Sequence, residues 1–371
     1  LRQEALQRAL TGLRALLKRE TPEPSLAHEV EHHLAHMVEV AVYGQDADRE
    51  NLSVTKQVLE HLDFEGQGDP RFLAFDALVK LGTFHEDENL ALRREGMSRS
   101  FSPEVEASSE DVASQGWSRE GRRDYTTLPT IAIDAPHTTE VDDAFAISGN
   151  RIIVFIADAS ALVPQDGLID REAYTRASTV YLPDKAIPML PSALGQRSAS
   201  LSVHEERPAL AMSFRIGSDG ALADFKMAEA ICSLNTRLSY EEADLLLQGR
   251  GAEDKRTEGA LVRTAQRSMV SHRGWRVNRG ALQLQRSEVD FDIHADGRVE
   301  IMSVEANGPA RQLISELMIC ACAGSAAWCA EQAIPVIYRS QARPTEGQTN
   351  PKSQVVNPAE QAEILRNIQP T

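Results

Sequence analysis

The chain has 371 residues and a formal net charge of −16, with 42% hydrophobic and 25% charged residues. That length suits two or three domains with a sizeable core. The sequence shows no apolar run near the roughly 20 residues that a membrane-spanning helix needs. Its acidic balance argues against whole-surface attraction to nucleic acid but leaves room for a local basic groove. The chain begins at Leu1 with no signal-peptide core, so the expectation is that a targeting segment has been removed or an N-terminal part is missing. Cys232, Cys320, Cys322 and Cys329 show neither paired C-x-x-C spacing nor disulfide-scaffold density. A reducing, intracellular setting is expected. Cys320 and Cys322 are read as small buried residues rather than metal ligands.

In chain order, LRQEALQRALTGLRALLKRE repeats Leu and Ala at three and four residues, a helix pattern. TPEPS breaks it, and Ser25 is the expected cap of a second helix, SLAHEVEHHLAHMVEVAVYG. There His28, His32 and His36 fall on one stripe. HHLAH lacks the Glu that an H-E-x-x-H zinc-protease helix uses as base, so a polar face is preferred to a zinc site. VTKQVLEHLDF and RFLAFDALVKLG continue a helical N-terminal region over 1–98. Residues 99–124, rich in Ser and acids, read as a polar connection or a short polar helix.

A catalytic-type region is expected over 125–341. TIAID and RIIVFIADAS are β-branched and apolar, and their pairing would place the acidic stretch between them at a sheet edge. YLPDKAIPMLPSAL is punctuated by proline and therefore extended. RPALAMSFRIGSDGALADFKMAEA and DFDIHADGRVEIMSVE read as hairpins, the second turning at Asp296 and Gly297. LSYEEADLLLQG is a helix capped by Ser239, and RQLISELMICACAGSAAWCAEQA is a long buried helix. Between these, Arg263, Arg267, Arg273, Arg276 and Arg279 recur around Trp275, which is either a basic groove or a solvated helix face. Residues 342–371 form a tail in which PAEQAEILRNI suggests a short helix. The fold class is mixed α/β (α+β).

The chemistry concentrates in TIAIDAPHTTEVDDAF. Asp134, Glu140, Asp142 and Asp143 lie within ten positions behind a buried strand. Like charges this close repel, so a cationic partner is expected. Mg2+ and Mn2+ favour such oxygen ligands, and paired ions can activate water and stabilise the leaving oxygen of a phosphodiester.

TIAIDAPHTTEVDDAF, RIIVFIADAS, YLPDKAIPMLPSAL and LISELM together resemble, in order and distance, the RNB catalytic domain of the ribonuclease II/R family. The N-terminal part and AFDALVKLGTFHEDENLALRREG are similar to its cyanobacterial and plastid branch. The resemblance implies a magnesium-dependent 3′→5′ exoribonuclease that threads single-stranded RNA and releases nucleoside 5′-monophosphates. It assigns Asp134, Asp142 and Asp143 to family aspartates and Glu140 to a position often held by Asp. Tyr181 matches a tyrosine near the scissile 3′ nucleotide, Glu316 a glutamate contacting the same end, and Tyr240 an aromatic that stacks on RNA further out. Arg273 and Arg276 join them as candidate RNA contacts.

Family members also carry a T-S-P-x-R segment and usually an S1 domain, and neither is found here. The expectations are therefore an exoribonuclease or its catalytic fragment, or an RNB-derived structural or RNA-binding subunit of a larger ribonucleoprotein assembly. The branch resemblance points to a plastid, another organelle or a bacterial cytoplasm.

Overall fold

The computed structural model describes residues 2–64, 69–182, 185–251, 255–281, 288–294, 298–304 and 308–340. The chain divides into two compact units, Leu1–Ser100 and Phe101–Thr371. The tail over 342–371, the turn at Asp296 and Gly297, and Pro183 with Asp184 lie outside the described residues.

The first unit is helical: α1 (Arg2–Leu17), α2 (Ala27–Tyr43), α3 (Arg49–His61), α4 (Pro70–Lys80) and α5 (Leu90–Arg94). Asp48 caps α3 by accepting from the Glu50 and Asn51 N–H groups, and Asp69 caps α4 ahead of Pro70. Ser25 does not cap α2. It sits in a 3-10 turn, Pro24–Leu26, with its hydroxyl directed to Glu23, and Leu26 is the capping residue. Leu10, Leu13, Met37, Val40, Val58 and Leu78 close the core. The α1–α2 approach requires Gly12, since a Cβ there would stand 2.3 Å from Val30 Cγ2. The histidines of α2 contact one another, the His32 and His36 rings at 4.3 Å, and buried His33 bonds the Glu29 carbonyl through Nδ1.

The second unit begins with α6 (Pro103–Gln115), capped by Ser102. The segment read as a polar connection or a short polar helix thus forms a helix, and it contributes a packed element. Val112, Ala113 and Trp117 lie against Leu162, Ile169, Leu194 and Ala199, an apolar set that the Ser and acid content concealed. The following elements are β1 (Arg123–Asp124), β2 (Thr130–Ile133), β3 (Asp143–Ser148), β4 (Arg151–Ala157), α7 (Leu168–Arg176), β5 (Val180–Tyr181) and β6 (Ala186–Ile187). Then α8 (Ser192–Leu194) runs into a π-helical turn, Gly195–Ala199. β7 (Glu206–Ile216), β8 (Leu222–Ser233), β9 (Thr236–Leu238), α9 (Tyr240–Leu247), α10 (Arg256–Asn278), β10 (Glu288–Ile293), β11 (Val299–Val304) and α11 (Pro309–Glu331) complete it.

Among the described residues, seven strands form one sheet in the order β1-β8-β7-β4-β3-β2-β9. TIAI and RIIVFIA are not direct partners, because β3 lies between them and is antiparallel to both. The acidic stretch is therefore the β2–β3 connection at one end of the sheet, and the edge beside it is β9, parallel to β2. Alternation along the strands sends Ile131, Ile133, Phe145 and Val154 to one face, against α9, α10 and α11. Ala132, Ala144, Ala146 and Phe155 go to the other, with Val141 and Leu201. Burying a phenylalanine such as Phe145 or Phe155 stabilises the unit by roughly 2–3 kcal/mol.

α11 is long and apolar enough by composition to cross a membrane, which the sequence reading missed. Here Leu313, Ile314, Leu317, Cys320 and Ala321 use part of that apolarity in the core. Gly324 lets α11 reach β8, since a Cβ would come to 2.1 Å from Phe225. Cys232, Cys320 and Cys329 are buried free thiols, whereas Cys322 is exposed, contrary to its expected burial. Burial pushes the Cys232 and Cys320 thiols up to about 12.

Candidate active site

Asp134 follows the last residue of β2. Its N–H reaches the Leu238 carbonyl at 3.0 Å, extending the parallel pairing with β9. Its Oδ1 accepts from the Ala135 N–H and the Thr138 hydroxyl, both at 2.8 Å, folding the next residues back onto the aspartate. Arg237 of β9 holds the turn from outside, donating through Nη2 to the Ala135 carbonyl at 2.9 Å and the Thr138 carbonyl at 2.7 Å. Further on, Ala157 N–H donates to the Asp142 carbonyl at 2.8 Å, and Asp143 opens β3 opposite Ile156. The end of β4 is tied down in turn by Arg122, whose guanidinium meets Asp158 at 2.8 Å in a buried ion pair.

Three carboxylates of this turn, Glu140, Asp142 and Asp143, hold their protons more tightly than usual. Burial raises Asp143 to about 6, with the charges of Asp134 and Asp142 adding to it. Partial burial and then Asp134 raise Asp142, which stays open to solvent on one side; burial and then Asp142 raise Glu140. Among the described residues no Lys or Arg forms an ion pair with any of the four. Tyr181 is 77% exposed, and its hydroxyl is raised by loss of water on its inner side and then by Glu140, Asp142 and Asp134. The tyrosine therefore stands within electrostatic reach of the turn.

Hard oxygen donors whose crowding favours added positive charge suit a divalent cation by chemistry. Their geometry is open: no three His, Cys, Asp or Glu side chains among the described residues stand together as a closed ligand set.

The remaining expected contacts lie elsewhere. Glu316 is 5% exposed, and both its oxygens accept from Arg276 of α10, at 2.6 Å and 3.1 Å. A buried glutamate demands a partner, and within the fold Arg276 supplies it. Arg273 donates to Gln312, Arg263 to the Leu246 carbonyl and Arg267 to Thr264, while Arg279 lies over the Trp275 ring at 4.0 Å. Each of these arginines thus has a contact within the fold, while Arg267 and Arg279 remain exposed. Tyr240 has the Arg311 guanidinium over its ring at 4.2 Å, so that face is already covered. The sequence reading missed Arg237 and the segment around Ser200, whose contacts with the turn come from distant strands and carry no local motif.

Residues 122–368 match the RNB domain family, and the chain belongs to that family. An uncharacterized ribonuclease of Synechocystis is 30% identical over 304 residues, covering 78% of this chain and 44% of that protein. Ribonuclease R of Escherichia coli is 31% identical over 234 residues, 61% of this chain and 28% of its own. The chain spans less than half the length of these relatives. Among solved structures, the Dss1 exoribonuclease of Candida glabrata superposes with a TM-score of 0.70 at 21% identity, over 90% of this chain and 46% of that one. Mycoplasma genitalium RNase R in complex with ribose-methylated single-stranded RNA gives 0.62 at 20% identity, over 69% and 41%. Both show the shared fold.

Proposed function

We propose that the chain carries a magnesium-dependent 3′→5′ exoribonuclease activity that hydrolyses single-stranded RNA to nucleoside 5′-monophosphates. The observation that supports it most is the turn of Asp134, Glu140, Asp142 and Asp143, with no Lys or Arg ion partner among the described residues, in a chain of the RNB family. These four side chains would hold Mg2+ or Mn2+, which supplies Lewis-acid polarisation of a phosphoryl oxygen. Tyr181 offers an exposed ring beside the turn, on which a 3′-terminal base of any identity can stack for about 1–3 kcal/mol. Free thiols throughout the described residues fit a reducing compartment.

The test is incubation of the purified chain with a 3′-overhang RNA and Mg2+. Stepwise release of mononucleotides from the 3′ end, absent without divalent metal, is expected. No release at any metal concentration, with RNA still bound and the chain incorporated into a larger complex, would instead support a non-catalytic RNA-binding subunit.

A further inference from the structure

Val141 stands between two of the turn's carboxylates, Glu140 and Asp142, and its backbone is fixed at both polar groups. Its N–H donates to Ser200 Oγ at 2.8 Å, and its carbonyl accepts from the Leu201 N–H at 2.9 Å. Both Val141 and Ser200 are buried, at 4% and 5% exposure. We propose that Ser200 is a positioning residue for the acid turn, setting the directions of Glu140 and Asp142 through the backbone of Val141. The inference rests on the reading of that turn as the divalent-cation site of a nuclease.

The segment carrying Ser200 is itself locked. Its N–H closes the π-helical turn onto the Gly195 carbonyl at 3.1 Å. From β7, Arg207 donates through Nε to the Ser200 carbonyl at 3.0 Å and through Nη2 to the Arg197 carbonyl at 2.9 Å. The same segment leaves room for the carboxylate it steers: a Cβ on Gly195 would stand 2.8 Å from Glu140 Oε1. Glu140 and Asp142 flank Val141, so a change in the backbone dihedrals at Val141 redirects one carboxylate relative to the other. Loss of the hydroxyl leaves a buried N–H without its acceptor, and the turn gains a reason to rotate. Changes behind a ligand side chain typically cost about 10–100-fold in metal affinity or activity.

The experiment compares wild type, Ser200→Ala, Ser200→Thr and Gly195→Ala by calorimetric Mn2+ titration, hydrogen exchange at the Val141 amide, and steady-state RNA cleavage. For Ser200→Ala we expect Val141 exchange at least about tenfold faster, Mn2+ affinity about 10–100-fold weaker, and kcat reduced with KM within about twofold. Ser200→Thr, which keeps the hydroxyl, should restore most of each. Mn2+ affinity and kcat within about twofold of wild type in Ser200→Ala would overturn the proposal. Should Ser200→Ala fail to fold, Gly195→Ala decides: weaker Mn2+ binding in a folded protein supports the steering segment, and unchanged binding refutes it. If wild type neither binds Mn2+ nor cleaves RNA, the nuclease reading fails, while Val141 exchange still decides whether Ser200 holds the turn.

Discussion

Two sets of carboxylates in the second unit meet opposite electrostatic fates. Glu316, inside α11, is nearly inaccessible and has both oxygens occupied by Arg276. Asp134, Glu140, Asp142 and Asp143 are crowded at the end of β2 and β3 with no Lys or Arg ion partner among the described residues, and Asp143 is pushed to about 6. Carboxylates are thus neutralised by the fold in one place and left without a Lys or Arg ion partner among the described residues in the other. Compensated carboxylates serve packing, whereas uncompensated ones hold a capacity to bind.

The largest effect should come from removing charge where it is uncompensated. Asp142→Asn is expected to lower the single-turnover RNA cleavage rate by about a thousandfold or more, since electrostatic stabilisation is often the largest catalytic contribution. RNA affinity in a filter-binding assay should stay within about threefold, because in the proposed function this side chain would hold a cation rather than touch the polyanion. Next, Glu316→Ala should destabilise the protein in urea by roughly 3 kcal/mol, through an unpaired Arg276 at the α10–α11 contact. A neutral result there would place the glutamate outside the structural role assigned to it.

The acid turn also makes a pH prediction. Asp143 titrates near 6 in the fold and near 3.8 when unfolded, so its contribution to stability is fully present below about 4 and is lost as pH rises through 6. Metal-free protein should lose up to roughly 3 kcal/mol over that window from this group, and Asp143→Asn should flatten the slope in denaturant melts at several pH values. The smallest effect is expected from Tyr181→Ala, which removes a stacking surface but no charge. The limit product should lengthen by a few nucleotides while the rate on long RNA changes by less than about tenfold, read from a sequencing gel.

Much of this architecture was legible because it is local. The helices of 1–98, the Ser239 capping box and the β7–β8 hairpin all follow from periodicity or turn chemistry within about ten residues. The four acids announced themselves by density alone. Long-range partnerships were not legible. Glu316 and Arg276 are 40 residues apart, Val141 and Ser200 are 59 apart, and Arg237 reaches Thr138 across 99. Nothing in a single sequence tells a buried glutamate with an arginine partner from one that waits for a ligand. Sequence polarity also concealed the packed side of α6, because an amphipathic helix needs only Val112, Ala113 and the following Trp117 to dock.

The central claim is that the β2–β3 turn is short of positive charge and takes it up as a divalent cation. Calorimetric titration of the metal-free chain with Mn2+ at pH 6, in two buffers of different ionisation enthalpy, tests it most directly. The account predicts saturable binding with proton release, because a bound cation lowers the Asp143 pKa from about 6, and loss of most of that release in Asp143→Asn. Absence of Mn2+ binding, or binding whose affinity and proton release are the same in wild type, Asp142→Asn and Asp143→Asn, would contradict it.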